Sequence, residues 1–132
     1  MALQYTATHR TNAMSDLVTA LGGTAYLLIY SGSAPANVAA AATGTLLASL
    51  PLSATPGVAS AGVLTFNAFT SATAATGTAG YWRLCTSAAG TTCIVQGSIG
   101  TAGADLNFAA GLAWTAGMTI SVSSWTITAF GA

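Results

Sequence analysis

The stretch GYWRLCTSAAGTTCIVQG, residues 80–97, decides the fold of this chain. Aromatic, aliphatic and β-branched residues occupy both of its arms, and such residues favour extended backbone. The intervening residues 87–91 are small and include Gly90, which adopts positive φ at little cost. The stretch therefore predicts a β-hairpin.

Side-chain alternation along the two arms predicts what each face of the hairpin carries. If Cys85 lies opposite Cys93, the two faces carry Trp82, Leu84 and Ile94 on one side and Tyr81, Arg83 and Val95 on the other. Both faces are then partly apolar. This is typical of a strand pair in the middle of a sandwich, with one face on the core and the other against a neighbouring chain or loop.

Three further strands are predicted before the hairpin. Residues 25–30 are continuously apolar, which places this strand inside the sandwich. Residues 46–52 contain Pro51 and therefore suit an edge strand. Residues 63–69 alternate, whereas residues 55–62 hold strong breakers and predict a loop. The Ala-rich residues 38–42 are ambiguous, because they have helix propensity but Gly44 and the flanking turn residues limit a helix there to about one turn.

After the hairpin, glycines at residues 98–105 predict a corner, followed by a short strand at residues 106–108 and a loop at residues 109–117. Residues 118–130 alternate and predict the last strand. Its inward side chains are Ile120, Val122 and either Trp125 or Ile127. The alternation breaks near Ser123 and Ser124, which predicts a bulge.

Helical spacing occurs only near the amino terminus. Within residues 8–21, the apolar residues that recur at that spacing are Ala13, Leu17, Val18 and Leu21. Either Thr8 or Asn12 suits the N-cap, and Gly22 ends the segment. We place the helix at residues 11–21 and predict that residues 1–10 form an arm that orders on docking.

Short strands between glycine turns, with one short N-terminal helix, predict an all-β fold. The expected architecture is an antiparallel β-sandwich of seven or eight strands, of Greek-key or jelly-roll type. A length of 132 residues fits a single domain covering residues 1–132.

The composition is unusual in charge. Charged residues make up 3% of the chain and hydrophobic residues 53%, whereas an ordinary globular chain is about a quarter charged. A surface with so little charge tends to associate, so we expect a homo-oligomer, a dimer or a trimer, and a working life spent docked in an assembly. Arg10 and Arg83 are too few to neutralise a run of phosphates, so nucleic acid is not expected as a partner.

Membrane insertion is not expected either, because no apolar run approaches the roughly 18 residues that a spanning helix needs. The first ten residues lack the basic start and apolar core of a secretory signal, so we expect the chain to stay in the cytoplasm where it is made. The two cysteines lack partners at zinc-site spacing, and we expect no metal and no cofactor.

The residues that carry chemistry are few. The carboxylates are Asp16 and Asp105, and the only imidazole is His9, so neither a carboxylate pair nor a Ser–His–Asp arrangement is expected. Residues 97–103 resemble a phosphate loop but lack lysine, and they suit a corner with positive φ. We predict that the protein is not an enzyme.

Three interpretations stay open. Arg83 and Asp105 either pair across strands or are both solvent-exposed. Cys85 and Cys93 permit a cross-strand disulfide, but two buried thiols are favoured in a reducing compartment. The larger aromatic side chains form either core and interface or a sugar-stacking platform. These are Tyr30, Tyr81, Trp82, Trp114 and Trp125.

Three pieces of the sequence resemble small structural proteins of tailed-bacteriophage and prophage virions, of the head decoration or cement type. The pieces are residues 10–16 with LLIYSGSAP at residues 27–35, which ends in the turn IYSGSAP, GTLLA at residues 44–48 with GVLT at residues 62–65, and GSIGTAGADL at residues 97–106 with TISVSS at residues 119–124. The resemblance spans most of the chain in order, and its motifs are structural.

This resemblance implies a β-sandwich subunit that binds the major capsid protein on the outer surface of the head and fastens capsomers together. The expected location is therefore the capsid surface of the virion, after synthesis in the host cytoplasm. The alternative is a tail- or fibre-associated subunit that contacts a host glycan.

Overall fold

The computed structural model describes residues 3–129, and strands dominate this part of the chain, with a single helix. The helix is α1 (Ala7–Leu21). The strands are β1 (Tyr26–Ser31), β2 (Leu46–Pro51), β3 (Gly57–Ser60), β4 (Val63–Phe66), β5 (Ala72–Thr73), β6 (Gly77–Cys85), β7 (Cys93–Gly100), β8 (Leu106–Asn107), β9 (Ala113–Trp114), β10 (Thr119–Ile120) and β11 (Thr126–Thr128). The described residues thus form eleven short strands, more than the seven or eight predicted.

The helix begins earlier than predicted. Thr6, and neither Thr8 nor Asn12, is the N-cap, and its hydroxyl accepts a hydrogen bond from the His9 amide. Residues 7–10 therefore belong to the helix and not to an arm. Residues 3–6 precede it, and residues 1 and 2 of the predicted arm lie outside the described range. Gly22 ends the helix at φ 72°, as the sequence predicted.

The largest sheet is mixed. Its strand order is β2-β1-β6-β7-β8, with β9 added along β6. Every pair in it is antiparallel except β7 with β8, which is parallel, so the expectation of a purely antiparallel fold is wrong at this edge. The prediction that residues 25–30 form an interior strand is confirmed, since β1 lies between β2 and β6. The edge position that Pro51 indicated for β2 is also confirmed.

The predicted hairpin is present as β6 and β7, but its register shifts between Leu84 and Cys85. Cys85 pairs with Cys93 while Leu84 pairs with Val95, which leaves Ile94 as the extra residue of a bulge. Val95 therefore shares the face of Trp82 and Leu84, and the prediction that it joins Arg83 is wrong. An unrecognised bulge moves every later side chain to the opposite face.

A second sheet has the order β11-β4-β3. Its strand β3 lies within residues 55–62, which were predicted to be a loop because of Pro56 and Gly57. Ala61 and Gly62 have φ of 52° and 79°, which is the positive pair that a two-residue hairpin turn needs. A hairpin thus joins β3 to β4.

The predicted last strand is divided. Residues 118–130 contain β10, which pairs with β5, and β11, which pairs with β4. The break falls at the predicted bulge near Ser123, where the chain passes from one sheet to another. Phe130 lies outside the described residues. A further short strand, β9, occurs inside the predicted loop at residues 109–117.

Two apolar clusters hold these elements together. The larger one draws on all three sheets and on α1, and at its centre the Trp125 ring meets Trp82 edge-on and stacks on Phe66, each at a centroid distance of 4.8 Å. The smaller one lies on the opposite face of the mixed sheet. Its buried members are Leu28, Tyr30, Tyr81 and Cys85.

Candidate functional site

The candidate site is built on the smaller cluster, where the register of β1 and β6 brings polar side chains onto one face. Tyr30 pairs with Tyr81, and Leu28 pairs with Arg83. Because side chains alternate along a strand, these four side chains lie on the same face of the sheet. The two tyrosine rings stack at a centroid distance of 5.3 Å.

The Ala-rich segment of residues 36–45 covers this face. The Tyr81 hydroxyl donates a hydrogen bond to the Thr43 carbonyl at 2.7 Å and accepts one from the Thr43 amide at 2.9 Å. At the other end, the Asn37 side chain accepts a hydrogen bond from the Ala40 amide at 3.0 Å and forms a single turn. Residues 37–40 form a hydrogen-bonded turn, and the described structure has no helical turn at residues 38–42.

Arg83 lies beneath this cover and is only 1% exposed. Its Nε donates to Oε1 of Gln96 at 3.1 Å, and its Nη1 donates to the Ala40 carbonyl at 2.8 Å. Gln96 is fixed in turn, because its amide nitrogen donates to the Pro35 carbonyl at 2.9 Å. The third guanidinium nitrogen, Nη2, is buried without a hydrogen-bond partner.

Both predictions for Arg83 are therefore wrong: it is neither paired with Asp105 nor exposed. Asp105 instead accepts hydrogen bonds from the Ser98 amide at 2.9 Å and the Ser98 hydroxyl at 3.1 Å. The cause is the parity of β6, which directs Arg83 away from the main core and toward the smaller cluster.

A buried guanidinium that is bonded only to neutral oxygens is costly. An unsatisfied buried donor costs about 1–3 kcal/mol, and a charged one costs more. Buried charges normally have a partner of opposite charge. The Tyr81 ring offers only weak compensation, because its centroid lies 6.0 Å from the Arg83 Cζ atom, at the limit of a cation–π contact.

A cleft of about 610 Å³ opens above Arg83, between residues 38–42 and residues 89–93. Tyr30 and Arg83 contribute polar groups to it, and Thr91 and Thr92 add hydroxyl-bearing side chains at its exposed side. Burial raises the pKa of Tyr30 and the neighbouring Tyr81 raises it further, while Arg83 opposes both. The Tyr30 hydroxyl is therefore a neutral hydrogen-bond donor at neutral pH.

The cleft also adjoins a disulfide. Cys85 and Cys93 are directly opposite in the hairpin and are bonded to each other. The preference for two free thiols is therefore wrong. That preference rested on the expected reducing compartment and not on the hairpin geometry, which permits the bond.

The other residues considered for chemistry are dispersed. The His9 ring lies beside Tyr5 at 5.0 Å on α1, and Asp16 is exposed two turns further along the same helix. Asp105 belongs to the corner before β8. Within residues 3–129, no group of three or more His, Cys, Asp or Glu side chains is arranged to hold a metal ion.

The aromatic side chains considered for sugar stacking are all buried, with exposures between 1% and 8%. They form core, which was the other interpretation. Residues 97–103 complete β7 and turn directly into β8, so no helix follows them, and Gly103 has φ 72° as the corner prediction required.

Sequence reasoning missed the cleft itself. It placed Tyr81 and Arg83 on one face correctly, but Tyr30, Ala40 and Gln96 were not connected with Arg83. The available signal was a single arginine inside an apolar strand of a nearly uncharged chain. Such a residue indicates either a buried tie or a binding site.

Comparison with known proteins found no matching family model, no matching curated protein and no matching solved structure. The one helix in the described residues, α1, is not long and apolar enough to cross a bilayer.

Proposed function

We propose that this chain is a structural protein of a tailed-bacteriophage virion, a decoration or cement subunit that binds the major capsid protein on the outer surface of the head. In this proposal its sheets pack as a β-sandwich of Greek-key or jelly-roll type. Its contacts stabilise neighbouring capsomers without catalysis or a cofactor. The runner-up role is that of a tail- or fibre-associated subunit.

The observation that carries the proposal is the character of the surface. Of the four charged side chains, Arg83 is buried, so Arg10, Asp16 and Asp105 are the charges left for an accessible area of 6731 Å². Four large apolar side chains are exposed among residues 3–129: Leu3, Leu46, Val58 and Met118. Such a surface suits permanent docking, because contacts between subunits need buried area and complementarity more than charge.

Two further features support the proposal. The turn IYSGSAP and the other quoted motifs resemble small virion proteins. The disulfide between Cys85 and Cys93 is compatible with a virion surface, where disulfides persist, and less so with a permanent place in a reducing cytoplasm.

The test uses phage particles assembled without this subunit. Depleted heads should release DNA at a lower temperature than complete heads, because the subunit's contacts no longer oppose DNA pressure. Adding the purified protein should restore the release temperature, and cryo-microscopy should place it on the outer surface. Heads that are equally stable without it, combined with failed adsorption to host cells, would replace this proposal with the tail or fibre role.

A matched pair of variants sharpens the add-back experiment. Val58→Lys places a charge on an exposed apolar side chain, while Asn12→Lys places the same charge at an exposed polar position of α1. If capsid docking uses the apolar surface at Val58, the first variant should restore less stability than the second.

A further inference from the structure

We propose that the cleft over Arg83 binds a carboxylate, which accepts a hydrogen bond from Nη2 and neutralises the buried guanidinium. The site does not depend on capsid docking, and its test needs only the purified protein.

The charge of the site is the first argument. Both hydrogen-bond acceptors of Arg83 are neutral, the Gln96 amide oxygen and the Ala40 carbonyl. The chain's own carboxylate side chains lie elsewhere. Asp105 accepts a hydrogen bond from the Ser98 amide, and Asp16 is exposed on α1. A buried cation without a counter-charge favours binding of an anion from outside.

The hydrogen-bond donors at the cleft are the second argument. Nη2 of Arg83 has no partner, although it is buried. Tyr30 lines the same cleft, and its raised pKa keeps the hydroxyl protonated as a donor. Gly90 permits close approach here, since a Cβ at this position would lie 3.1 Å from the Tyr30 hydroxyl oxygen.

The size and lining of the cleft select the class of anion. One guanidinium supplies one positive charge, and the other arginine, Arg10, lies on α1 against Gly62. A phosphate, which carries more charge and more acceptors, is normally bound by several cations or amides. The walls are small and apolar, formed by Val38, Ala39, Ala41 and Ala42. A monoanionic carboxylate with a short apolar chain fits this lining.

Access requires a small movement of the cover. The Ala40 carbonyl accepts the hydrogen bond of Nη1, so an entering carboxylate competes with this carbonyl. The carboxylate forms the stronger, charge-assisted hydrogen bond. The Thr43 hydrogen bonds to the Tyr81 hydroxyl stay in place while residues 38–42 shift, and the turn that Asn37 forms with Ala40 moves with that segment. A carboxylate across Nη1 and Nη2 is the paired geometry that guanidinium groups favour.

The experiment follows the Arg83 Nε–H signal by NMR during titration with sodium acetate, with sodium chloride at matched ionic strength as the reference. We expect a saturable shift with acetate and none with chloride. A small, unsaturated response that is equal for the two salts would overturn the proposal.

Variants are compared through the thermal stabilisation that acetate confers, which needs no Arg83 signal. Arg83→Met should abolish it, and Tyr30→Phe should weaken acetate binding by about 3- to 10-fold. Arg10→Met is the matched control and should retain it. Gln96→Glu keeps Arg83 but supplies an internal carboxylate, so it should also lose the response. Stabilisation that persists in Arg83→Met would contradict the site.

A second ligand distinguishes the two possible sources of the carboxylate, a protein side chain and a free small acid. A short blocked peptide with a central glutamate represents a side chain presented by a protein surface, whereas acetate represents a free small acid. Saturation by both indicates that a protein side chain can enter the cleft, and saturation by acetate alone indicates a small-molecule site. Saturation by neither overturns the proposal.

Discussion

At the scale of single residues, the few charges of this chain act mainly as internal ties. Asp105 fixes the corner before β8 through Ser98, and Arg10 donates from Nε to the Tyr5 carbonyl at 3.3 Å while packing under Gly62. Arg83 links β6 to β7 and to the Ala-rich cover. Three of the four charged side chains therefore hold segments of the chain together, and the surface carries few charges that would keep the protein soluble.

Gly97 is required by close packing. A Cβ there would lie 2.5 Å from Cζ2 of Trp82 and 2.7 Å from Oδ2 of Asp105. Trp82 cannot retreat easily, because it is buried and donates a hydrogen bond to the Ser98 carbonyl. We expect Gly97→Ala to lower the free energy of unfolding by about 1–3 kcal/mol in urea denaturation.

Gly23→Ala is the control for that substitution. The nearest atom to its added Cβ is the Ala54 carbonyl oxygen at 3.7 Å, an ordinary contact, and a change within about 0.5 kcal/mol is expected. Equal losses for the two variants would show that the Trp82 contact is not the cause.

Tyr30 makes the free energy of unfolding decrease at alkaline pH. Its pKa is raised above the ordinary 10.0 by burial and by Tyr81, with Arg83 opposing. As pH rises, the Tyr30 hydroxyl loses its proton in the unfolded chain before it does so in the folded protein. The contribution of Tyr30 to stability is therefore fully present below about pH 10 and is lost as pH rises through the higher pKa of the folded state. Urea midpoints measured from about pH 8 to about pH 11 should therefore fall less steeply for Tyr30→Phe than for the wild type. Parallel slopes would contradict this assignment.

At the scale of elements, local patterns predicted the hairpin, the interior position of β1 and the edge position of β2. These depend on residue type and alternation, which the sequence displays directly. The hairpin joining β3 to β4 escaped prediction because Pro56 and Gly57 are breakers, and Ala61 is an uncommon residue at positive φ. Val95 was assigned to the wrong face of the hairpin, because simple alternation of side chains does not reveal the extra residue of a bulge.

The candidate site was predictable only in part, for a physical reason. Alternation put Tyr81 and Arg83 on one face, but burial of Arg83 depends on a cover that is distant in sequence. The Ala40 carbonyl reaches it across 43 positions, and Pro35 orients Gln96 across 61. No local pattern in residues 35–45 predicts those contacts.

The hairpin is closed by its disulfide, and this closure should contribute to stability. The bond joins residues 8 positions apart, so the chain-entropy model gives about 2–3 kcal/mol. A phosphine reductant should lower the free energy of unfolding of the wild type by about that amount, as measured by urea denaturation. The same reductant should leave the double variant Cys85→Ala, Cys93→Ala unchanged. Alkylation of both thiols in unreduced, unfolded protein would show that the bond is absent.

At the scale of the whole molecule, the surface carries one positive and two negative side chains, since Arg83 is buried. A net charge near zero gives little repulsion between copies. Val58 is 64% exposed on β3, the outer strand of its sheet. An apolar outer strand without charge is a common place for chains to associate.

We therefore expect the purified protein to sediment as a dimer or trimer at tens of micromolar, and Val58→Lys to shift it toward monomer. A lysine on an outer strand opposes edge pairing, because association would bury its charge. Asn12→Lys adds the same charge at an exposed polar position of α1 and should leave the association unchanged. A wild type that sediments as a clean monomer would contradict the prediction. If both variants dissociate equally, the added charge itself opposes association, and the Val58 surface is not the contact.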